Sequence, residues 1–153
     1  MKRIVLFIMV IGMAFTAICQ EDIEKEKETI KKVIQTAYID GLQNKGDLDL
    51  TREGFHPGFN LLGLKNNMLD KFPIYSWIEY AEMKKAKDPN PPTEEEKVTC
   101  TYPMIDISGT AAIVKLQFFK GGKHIYTDYL ALYKFNEGWK IVNKIYYKLP
   151  EEK

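Results

Sequence analysis

Three side chains in the sequence could move a proton, and each stands in an apolar run or in a loop. Asp40 and Asp128 have mostly apolar neighbours, and His56 precedes Pro57 in a glycine-containing segment. A carboxyl group that is desolvated inside a pocket has a raised pKa and can shuttle a proton. A histidine at the mouth of a pocket can act as a general base. Asp40, Asp128 and His56 are therefore the candidate acid–base residues.

Each candidate also has a purely structural interpretation. Asp40 can be a helix-end residue, and His56 can be a loop residue that bonds a backbone carbonyl. The strand register of the predicted sheet points Asp128 outward, near Lys115, where it would form a salt bridge or a dimer contact. A single bulge would reverse its direction. His56 and His124 are far apart and lack a spaced carboxylate or cysteine cluster. The sequence therefore predicts no metal site, and no cofactor is indicated.

The element that must position these groups is a three-stranded antiparallel meander over residues 110–147. Its three β-branched and aromatic runs are separated by Gly121-Gly122 and by Asn136-Glu137-Gly138. A two-residue loop at the first turn places Phe118 opposite Ile125. A three-residue loop at the second turn then places Phe135 opposite Trp139, and the two turns together fix which side chains share a face.

In this register, one aliphatic and aromatic face contacts the core, and it carries Thr127, Tyr129 and Asn143 beside Trp139. A buried amide must find a hydrogen-bond partner, which either the protein or a ligand can supply. The opposite face combines charged ends with an apolar centre. That centre favours a second subunit covering the sheet, with scattered exposed aliphatic residues as the alternative. The apolar residues predicted at the centre of this outer face are Ile113, Leu130, Leu132 and Val142.

The remaining chain predicts helices followed by strands, which gives an α+β fold. No linker divides it into domains. The predicted elements are a helix from Gln20 to Leu42, a short helix from Leu50 to Glu53 capped by Asp49, a loop over residues 54–59, a hairpin around Asn66-Asn67, a helix opened by a capping box at Ser76 and Glu79, and a strand from Glu96 to Ile107 with a bulge or a sheet edge at Pro103.

The first nineteen residues predict a secretory signal. Lys2-Arg3 precede an uncharged apolar run, and cleavage is expected before Gln20. A lipoprotein acylated at Cys19 is the alternative, although that motif prefers a small residue where Ile18 stands. The mature domain, residues 20–153, is predicted to be periplasmic or secreted, with no membrane span.

Charge and cysteine content restrict the partners of the mature chain. Loss of Lys2 and Arg3 leaves 20 of the 22 basic residues against 21 acidic residues. This near-neutral balance, with no basic stripe, argues against nucleic acid. Cys100 is then the only cysteine, so the sequence predicts no intramolecular disulfide and a buried structural thiol.

The sequence resembles the nuclear transport factor 2-like superfamily and, more narrowly, the putative lumazine-binding group of bacterial proteins. The segments that carry the resemblance are Tyr38-Ile39-Asp40-Gly41, Phe55-His56-Pro57-Gly58-Phe59, Ile74-Tyr75-Ser76-Trp77-Ile78, Thr127-Asp128-Tyr129-Leu130-Ala131-Leu132 and Gly138-Trp139-Lys140-Ile141-Val142-Asn143-Lys144. They span nearly the whole mature chain.

This resemblance implies a cone-shaped fold, in which N-terminal helices pack on a strongly curved antiparallel sheet. It also implies a cavity at the open end of the cone and a homodimer formed through the outer sheet face. The superfamily contains isomerases, dehydratases, cyclases and partner-binding modules, so the fold does not decide the chemistry. The acid and oxyanion partner of the isomerases match no pair of residues in this sequence.

We predict an exported protein that binds a small apolar or aromatic molecule without turnover. One alternative is an isomerase or dehydratase using Asp40, Asp128 or His56. The other is a protein-interaction module whose cavity is filled by side chains of Met68, Phe72, Trp77 and Tyr129. The predicted ligand-binding residues are Tyr38, Phe55, His56, Met68, Phe72, Trp77, Thr127, Tyr129 and Asn143.

Overall fold

A computed structural model describes residues 22–150, and the predicted signal peptide lies outside this range. Within it, three helices and six strands follow one another along the chain. Their bounds are α1, residues 22–43; α2, Leu48–Gly54; β1, Phe55–Lys65; β2, Met68–Pro73; α3, Ile74–Lys87; β3, Val98–Ser108; β4, Ala111–Lys120; β5, Lys123–Phe135; and β6, Gly138–Lys148. None of the helices in residues 22–150 has the length and apolar character needed to cross a bilayer.

The six strands form one curved, unclosed sheet with the order β2-β1-β6-β5-β4-β3. Neighbouring strands are antiparallel except β1 and β6, which run parallel. The helices pack on the concave face. The predicted α+β cone fold is therefore confirmed.

The core lies between α1 and the concave face of the sheet. On the helix, Ile30, Ile34 and Ala37 are fully buried, whereas Ile23 is 41% exposed. The buried side of the helix thus begins at Ile30. The sheet contributes Val114, Leu116, Phe118, Leu130, Leu132, Trp139 and Ile141.

Glu26 connects the start of α1 to the β5–β6 hairpin through hydrogen bonds. Its carboxylate accepts hydrogen bonds from Lys134 Nζ and Trp139 Nε1, each at 2.5 Å. These bonds lower the pKa of Glu26 below its ordinary value, because both donors favour the ionised form. The helix is therefore held at both its charged end and its apolar face.

Turn residues predicted the chain reversals correctly. Lys120 pairs with Lys123 across Gly121-Gly122, and Asn66-Asn67 connect β1 to β2 with positive φ angles of 51° and 59°. Glycine and asparagine adopt this left-handed region at the lowest cost. The strand containing Pro103 is both an edge strand and irregular, because its pairing shifts between Thr101 and Met104.

Three local predictions are wrong. Helix α3 begins at Ile74 after Pro73, so Ser76 lies inside its first turn and makes no cap. The cap of α2 is Asp47, whose carboxylate accepts from the Asp49 amide at 2.8 Å. No loop occupies residues 54–59: Gly54 ends α2, and residues 55–59 begin β1, with an irregularity between Phe55 and Asn60 where it meets β6.

The predicted register of the meander is also wrong, because β5 and β6 each contain one extra residue. Phe118 pairs with Tyr126 while Phe119 pairs with His124, so Ile125 is the bulged residue of β5. A one-residue shift moves every following side chain to the other face. As a result, the alternate residues Asp128, Leu130 and Leu132 point into the core and are at most 1% exposed.

The second loop is shorter than predicted, and β6 has its own bulge. Phe135 pairs with Gly138, so Lys134 rather than Phe135 stands opposite Trp139. Ala131 pairs with Asn143 and Leu132 with Ile141, which leaves Val142 as the extra residue. Lys144 therefore points inward, and Asn143 points to the convex face.

This correction removes part of the reason for predicting a dimer. Leu130 and Leu132 belong to the core, whereas Ile113 does lie on the convex face and is 45% exposed. The convex face instead carries Thr127, Tyr129 and Asn143, which were predicted to point inward.

Close helix packing depends on Gly54, the last residue of α2. A Cβ atom at Gly54 would lie 2.3 Å from the Ala37 Cβ of α1. At Gly63 in β1, an added Cβ would meet nothing closer than the Tyr146 hydroxyl oxygen at 3.4 Å. Only the first position is too crowded for a methyl group.

We expect Gly54→Ala to lower the free energy of unfolding by about 1–3 kcal/mol, because the added methyl group overpacks the α1–α2 contact. Gly63→Ala is the matched control and should change it by less than about 0.5 kcal/mol. Urea denaturation followed by circular dichroism measures both. Equal midpoints for the two variants would contradict the close contact.

Candidate functional site

Three polar side chains meet in the core beneath α1. Lys144 Nζ lies 2.7 Å from Asp128 Oδ2, and the Tyr38 hydroxyl donates to the same oxygen at 2.9 Å. Lys144 Nζ also donates to the Tyr38 hydroxyl oxygen. The three groups form a closed set of contacts, which we call the Lys144 cluster.

Each member of the cluster comes from a different element. Tyr38 lies in the second half of α1, where Ile34–Gln43 is wound as a π-helix, and this winding ends with the Asn44 amide bonding the Ile39 carbonyl at 3.0 Å. Such wide turns are frequent at functional sites. Asp128 reaches the cluster through the bulge of β5, and Lys144 through the bulge of β6.

The cluster is almost completely removed from water. The Asp128 side chain is fully buried and that of Lys144 is 7% exposed. Burial lowers the pKa of Lys144, while the charge of Asp128 and its hydrogen bond act in the opposite direction. Burial also raises the pKa of Tyr38 well above its ordinary value, and the neighbouring Asp128 adds to this effect. Tyr38 therefore remains a proton donor at neutral pH.

Aromatic rings surround the ammonium group. Lys144 Nζ lies 4.6 Å from the ring centre of Tyr38 and 5.6 Å from those of Trp77 and Tyr146, with Phe118 at 5.9 Å. Ring faces attract a cation and compensate part of its lost hydration. The other carboxylate oxygen, Asp128 Oδ1, has no hydrogen-bond partner within residues 22–150. It is a buried acceptor that a donor could still satisfy.

A cavity of about 240 Å³ adjoins the cluster, and Lys144 and Tyr38 form part of its wall. Apolar rings make up most of the remaining surface, with a single amide at Gln43. The other lining residues are Gln43, Leu61, Trp77, Phe118, Tyr126 and Tyr146. The cavity can therefore hold a small, largely planar molecule against the Lys144 amine and the phenols of its tyrosines.

A larger hollow of about 440 Å³ lies between α2, the start of β1 and α3. Its one cation, Arg52, is already paired, since it contacts Glu82 at 2.5 Å and Asp49 at 2.9 Å. Both partners raise the pKa of Arg52, and its bond to Glu82 has the largest effect. Because no buried polar side chain converges there, we place the candidate site at the Lys144 cluster.

Comparison with known proteins agrees with this fold. Residues 25–147 match the family model described as "putative lumazine-binding". The chain belongs to this family. Membership of this family supports a ligand-binding fold for the protein.

Solved structures and one curated protein are similar to this family member. An NTF2-like protein of unknown function from Shewanella baltica OS155 has a TM-score of 0.65 at 24% identity, over 83% of this chain and 96% of its own. A similar protein from Silicibacter pomeroyi DSS-3 has a TM-score of 0.65 at 15% identity, over 82% and 98%. "Aldolase FrzH" from Cladobotryum sp is 29% identical over 121 residues, which are 77% of this chain and 90% of that protein.

The cavity contains two of the predicted ligand-binding residues, Tyr38 and Trp77. Phe72 lies beside them, with its ring centre 6.4 Å from that of Trp77. Met68 is 68% exposed on β2, and Phe55 lines the larger hollow. The alternative of a cavity filled by side chains of Met68, Phe72, Trp77 and Tyr129 does not fit this arrangement.

The other predicted residues lie away from the cavity. His56 stacks on Phe135 at 4.9 Å between ring centres, and its Nδ1 accepts from the Gly58 amide at 3.0 Å. Asp40 is exposed and accepts from Gln35 Nε2 at 2.8 Å. Neither residue is placed to serve the cluster.

Thr127, Tyr129 and Asn143 point to the convex face, so the prediction that they face the interior is wrong. Asn143 Nδ2 donates to the Asn60 carbonyl of β1 at 3.0 Å, and Thr127 Oγ1 lies 3.4 Å from His124 Nε2. The physical reason is the bulge in each strand. Asp128 was predicted to point outward unless a bulge reversed it, and Ile125 is that bulge.

Sequence reasoning missed Lys144, the central residue of the cluster. It was assigned to the outer face with Asp128, Leu130 and Leu132. The available signal was that this set is more aliphatic than the alternate set of β5, which carries Thr127 and Tyr129.

In the described part of the chain, no group of three or more histidine, cysteine, aspartate or glutamate side chains could hold a metal ion.

We expect Lys144→Met to lower the free energy of unfolding by about 3–5 kcal/mol, because it leaves the buried Asp128 carboxylate without its cation. Adding Asp128→Leu should restore stability, since an apolar pair has no buried charge to compensate. Lys123→Met, at an exposed lysine of β5, is the matched control. Urea denaturation of the wild type and the three variants measures their free energies of unfolding. A double variant less stable than Lys144→Met would contradict the prediction.

Proposed function

We propose that the protein binds a small molecule with a planar apolar body and a carbonyl group in the cavity of about 240 Å³ beside the Lys144 cluster. We further propose that the cluster exchanges a proton with this molecule. The observation that carries this proposal is that Lys144 and Tyr38 line a cavity while both contact the buried carboxylate of Asp128. An amine next to a carboxyl group and a phenol can both donate and accept a proton.

The cavity dimensions and chemistry support a ligand of this class. A cavity of about 150 Å³ lined by apolar side chains is large enough to bind benzene. The cavity of about 240 Å³ therefore has room for one ring and a short substituent. Aromatic walls favour a planar body, and the Tyr38 hydroxyl and Lys144 favour a polar group that accepts hydrogen bonds.

The family and the relative supply further support from outside the site. The family description concerns lumazine, which is a planar heterocycle with carbonyl groups. The relative is named an aldolase, and aldol chemistry moves protons and bonds next to a carbonyl group. Both point to a ligand that bears a carbonyl group. They do not decide whether this protein is an enzyme.

Binding without turnover is the second candidate. It is favoured by the closed contacts of the cluster, in which Tyr38 and Lys144 already share Asp128 Oδ2. In that case the cluster would only anchor the carbonyl oxygen. The two candidates differ in whether a bound ketone exchanges protons.

Acetophenone should bind to the full chain in isothermal titration calorimetry, and Leu61→Trp should weaken binding by at least about tenfold, which corresponds to about 1.4 kcal/mol. Leu61 lines the cavity, so the larger ring would fill it. Leu64→Trp is the matched control, because Leu64 lies on the same strand and is 82% exposed. Equal affinity in the two variants would place the ligand elsewhere.

Proton exchange separates the two candidates once binding is established. In deuterium oxide, the acetophenone methyl protons should disappear faster with the protein than with buffer alone, as measured by NMR spectroscopy. Tyr38→Phe should slow this exchange, because it removes one donor of the cluster while keeping Lys144. Binding without accelerated exchange would favour the protein as a carrier.

We further propose that the protein is exported and forms a homodimer through its convex sheet face. Export is supported by the basic pair and apolar run of residues 1–19. The dimer is supported by a large exposed apolar surface, on which Lys115 and Asp106 provide opposite charges that can pair across a two-fold axis. The apolar residues of this surface, each 37% to 60% exposed, are Met104, Ile113, Tyr129, Tyr133, Ile145 and Tyr147.

Ile145→Lys should convert the dimer to a monomer in sedimentation velocity, because it places a charge at the centre of the convex face. Leu64→Lys, at the exposed end of the β1–β2 hairpin, should leave the mass unchanged. A wild-type protein that sediments as a monomer, or an Ile145→Lys variant that remains a dimer, would contradict this interface.

A further inference from the structure

We propose that Lys144 is a nucleophile that forms an imine with the carbonyl carbon of an aldehyde or ketone held in the cavity. This inference rests on the proposed function, since it specifies the bond that such a ligand would form. Lysine amines are the side chains that proteins use to form imines with carbonyl compounds. The remaining question is whether this lysine can be neutral and reach a ligand.

The surroundings of Lys144 favour the neutral amine. Its side chain is buried among the rings of Tyr38, Trp77, Phe118 and Tyr146, which compensate only part of the hydration that the ammonium ion loses. Burial lowers the pKa of Lys144 for this reason. A lysine with a lowered pKa in a desolvated pocket is an activated nucleophile.

The proton that the amine must lose has an acceptor at hydrogen-bond distance. Transfer over 2.7 Å from Lys144 Nζ to Asp128 Oδ2 converts the buried ion pair to an amine and a carboxylic acid. The other titratable groups facing Lys144 are the phenols of Tyr38, Tyr126 and Tyr146, of which Tyr38 is the one hydrogen-bonded to Asp128.

The reaction balances with the groups present. The lone pair of Lys144 Nζ attacks the carbonyl carbon, and the carbonyl oxygen takes the proton held by Asp128. The nitrogen then returns one proton to Asp128, which gives a neutral carbinolamine. A second transfer from Asp128 to the hydroxyl group releases water as the nitrogen lone pair forms the C=N bond. An ammonium ion and a carbonyl group thus become an iminium ion and water, with no oxidant or reductant.

The product keeps the charge pattern of the resting cluster. The iminium cation occupies the position of the ammonium ion, beside the Asp128 carboxylate and among the same rings. The buried carboxylate is therefore paired before and after the reaction. The Tyr38 hydroxyl keeps its proton at neutral pH, and it can turn from Asp128 Oδ2 to donate that proton in a hydrogen bond to the carbonyl oxygen during the attack.

The imine can be trapped with benzaldehyde as the probe and cyanoborohydride as the reductant, at pH 7, using the full chain. Peptide mapping by mass spectrometry should find one benzyl group on Lys144. The lowered pKa of Lys144 raises the fraction of neutral amine at pH 7, so Lys144 should be modified faster than the exposed Lys123 in the same sample. Slower modification of Lys144 than of Lys123 would overturn the inference.

Two variants and one ligand make the outcome specific. Lys144→Arg should lose the fast modification while keeping a buried cation, and Lys123→Arg should retain it. Benzyl alcohol, which has the same ring but no carbonyl group, should compete with benzaldehyde and slow the modification of Lys144. If calorimetry shows that benzyl alcohol binds but benzaldehyde leaves no adduct on Lys144, the imine alone is overturned. Failure of both benzyl alcohol and acetophenone to bind would overturn the proposed function and the imine with it.

Discussion

The structure depends on the burial of one ammonium group. Removing Lys144 from water is costly unless its charge is paired and its protons are bonded. Asp128 supplies the charge, Tyr38 supplies an acceptor, and four aromatic rings surround the group. Because the three polar residues belong to α1, β5 and β6, their mutual distances fix the helix against the sheet. An apolar cluster of similar volume would stabilise the core equally well, which is why we assign the cluster to function rather than to stability.

Two bulges make this arrangement possible. The extra residue Ile125 turns Asp128 inward, and the extra residue Val142 does the same for Lys144. Without the second bulge, Asn143 would stand where Lys144 stands, and the ion pair would be lost. Bulges are frequent next to active sites, because one extra residue turns the side chains that follow it to the other face while the strands remain paired. The same shifts place the leucines of β5 in the core, so one backbone feature serves both packing and chemistry.

The sequence predicted the order of the elements and most of the chain reversals because these depend on local residue types. Gly121-Gly122, Asn66-Asn67 and Pro103 each restrict the backbone wherever they occur. It did not predict the faces of β5 and β6, since an alternating pattern looks the same before and after an inserted residue. Leu130 and Leu132 were assigned to the wrong side for this reason. Tyr38 and Trp77 were predicted as ligand-binding residues and do line the cavity, because they lie on helices and their direction does not depend on a strand register.

Fold and chemistry are separable in this protein. Structures at 24% and 15% identity share its fold, and that similarity alone does not place an amine in a cavity. Cavity volume does not identify the site either. The hollow beside Arg52 is larger, but Arg52 is already paired with Glu82 at the surface. A reactive site requires polar groups that converge where water is excluded, since exclusion of water is what changes their pKa and their reactivity. Within residues 22–150, the Lys144 cluster meets this requirement: Lys144 and Tyr38 line the cavity, and the buried Asp128 behind them keeps one acceptor atom, Oδ1, without a partner.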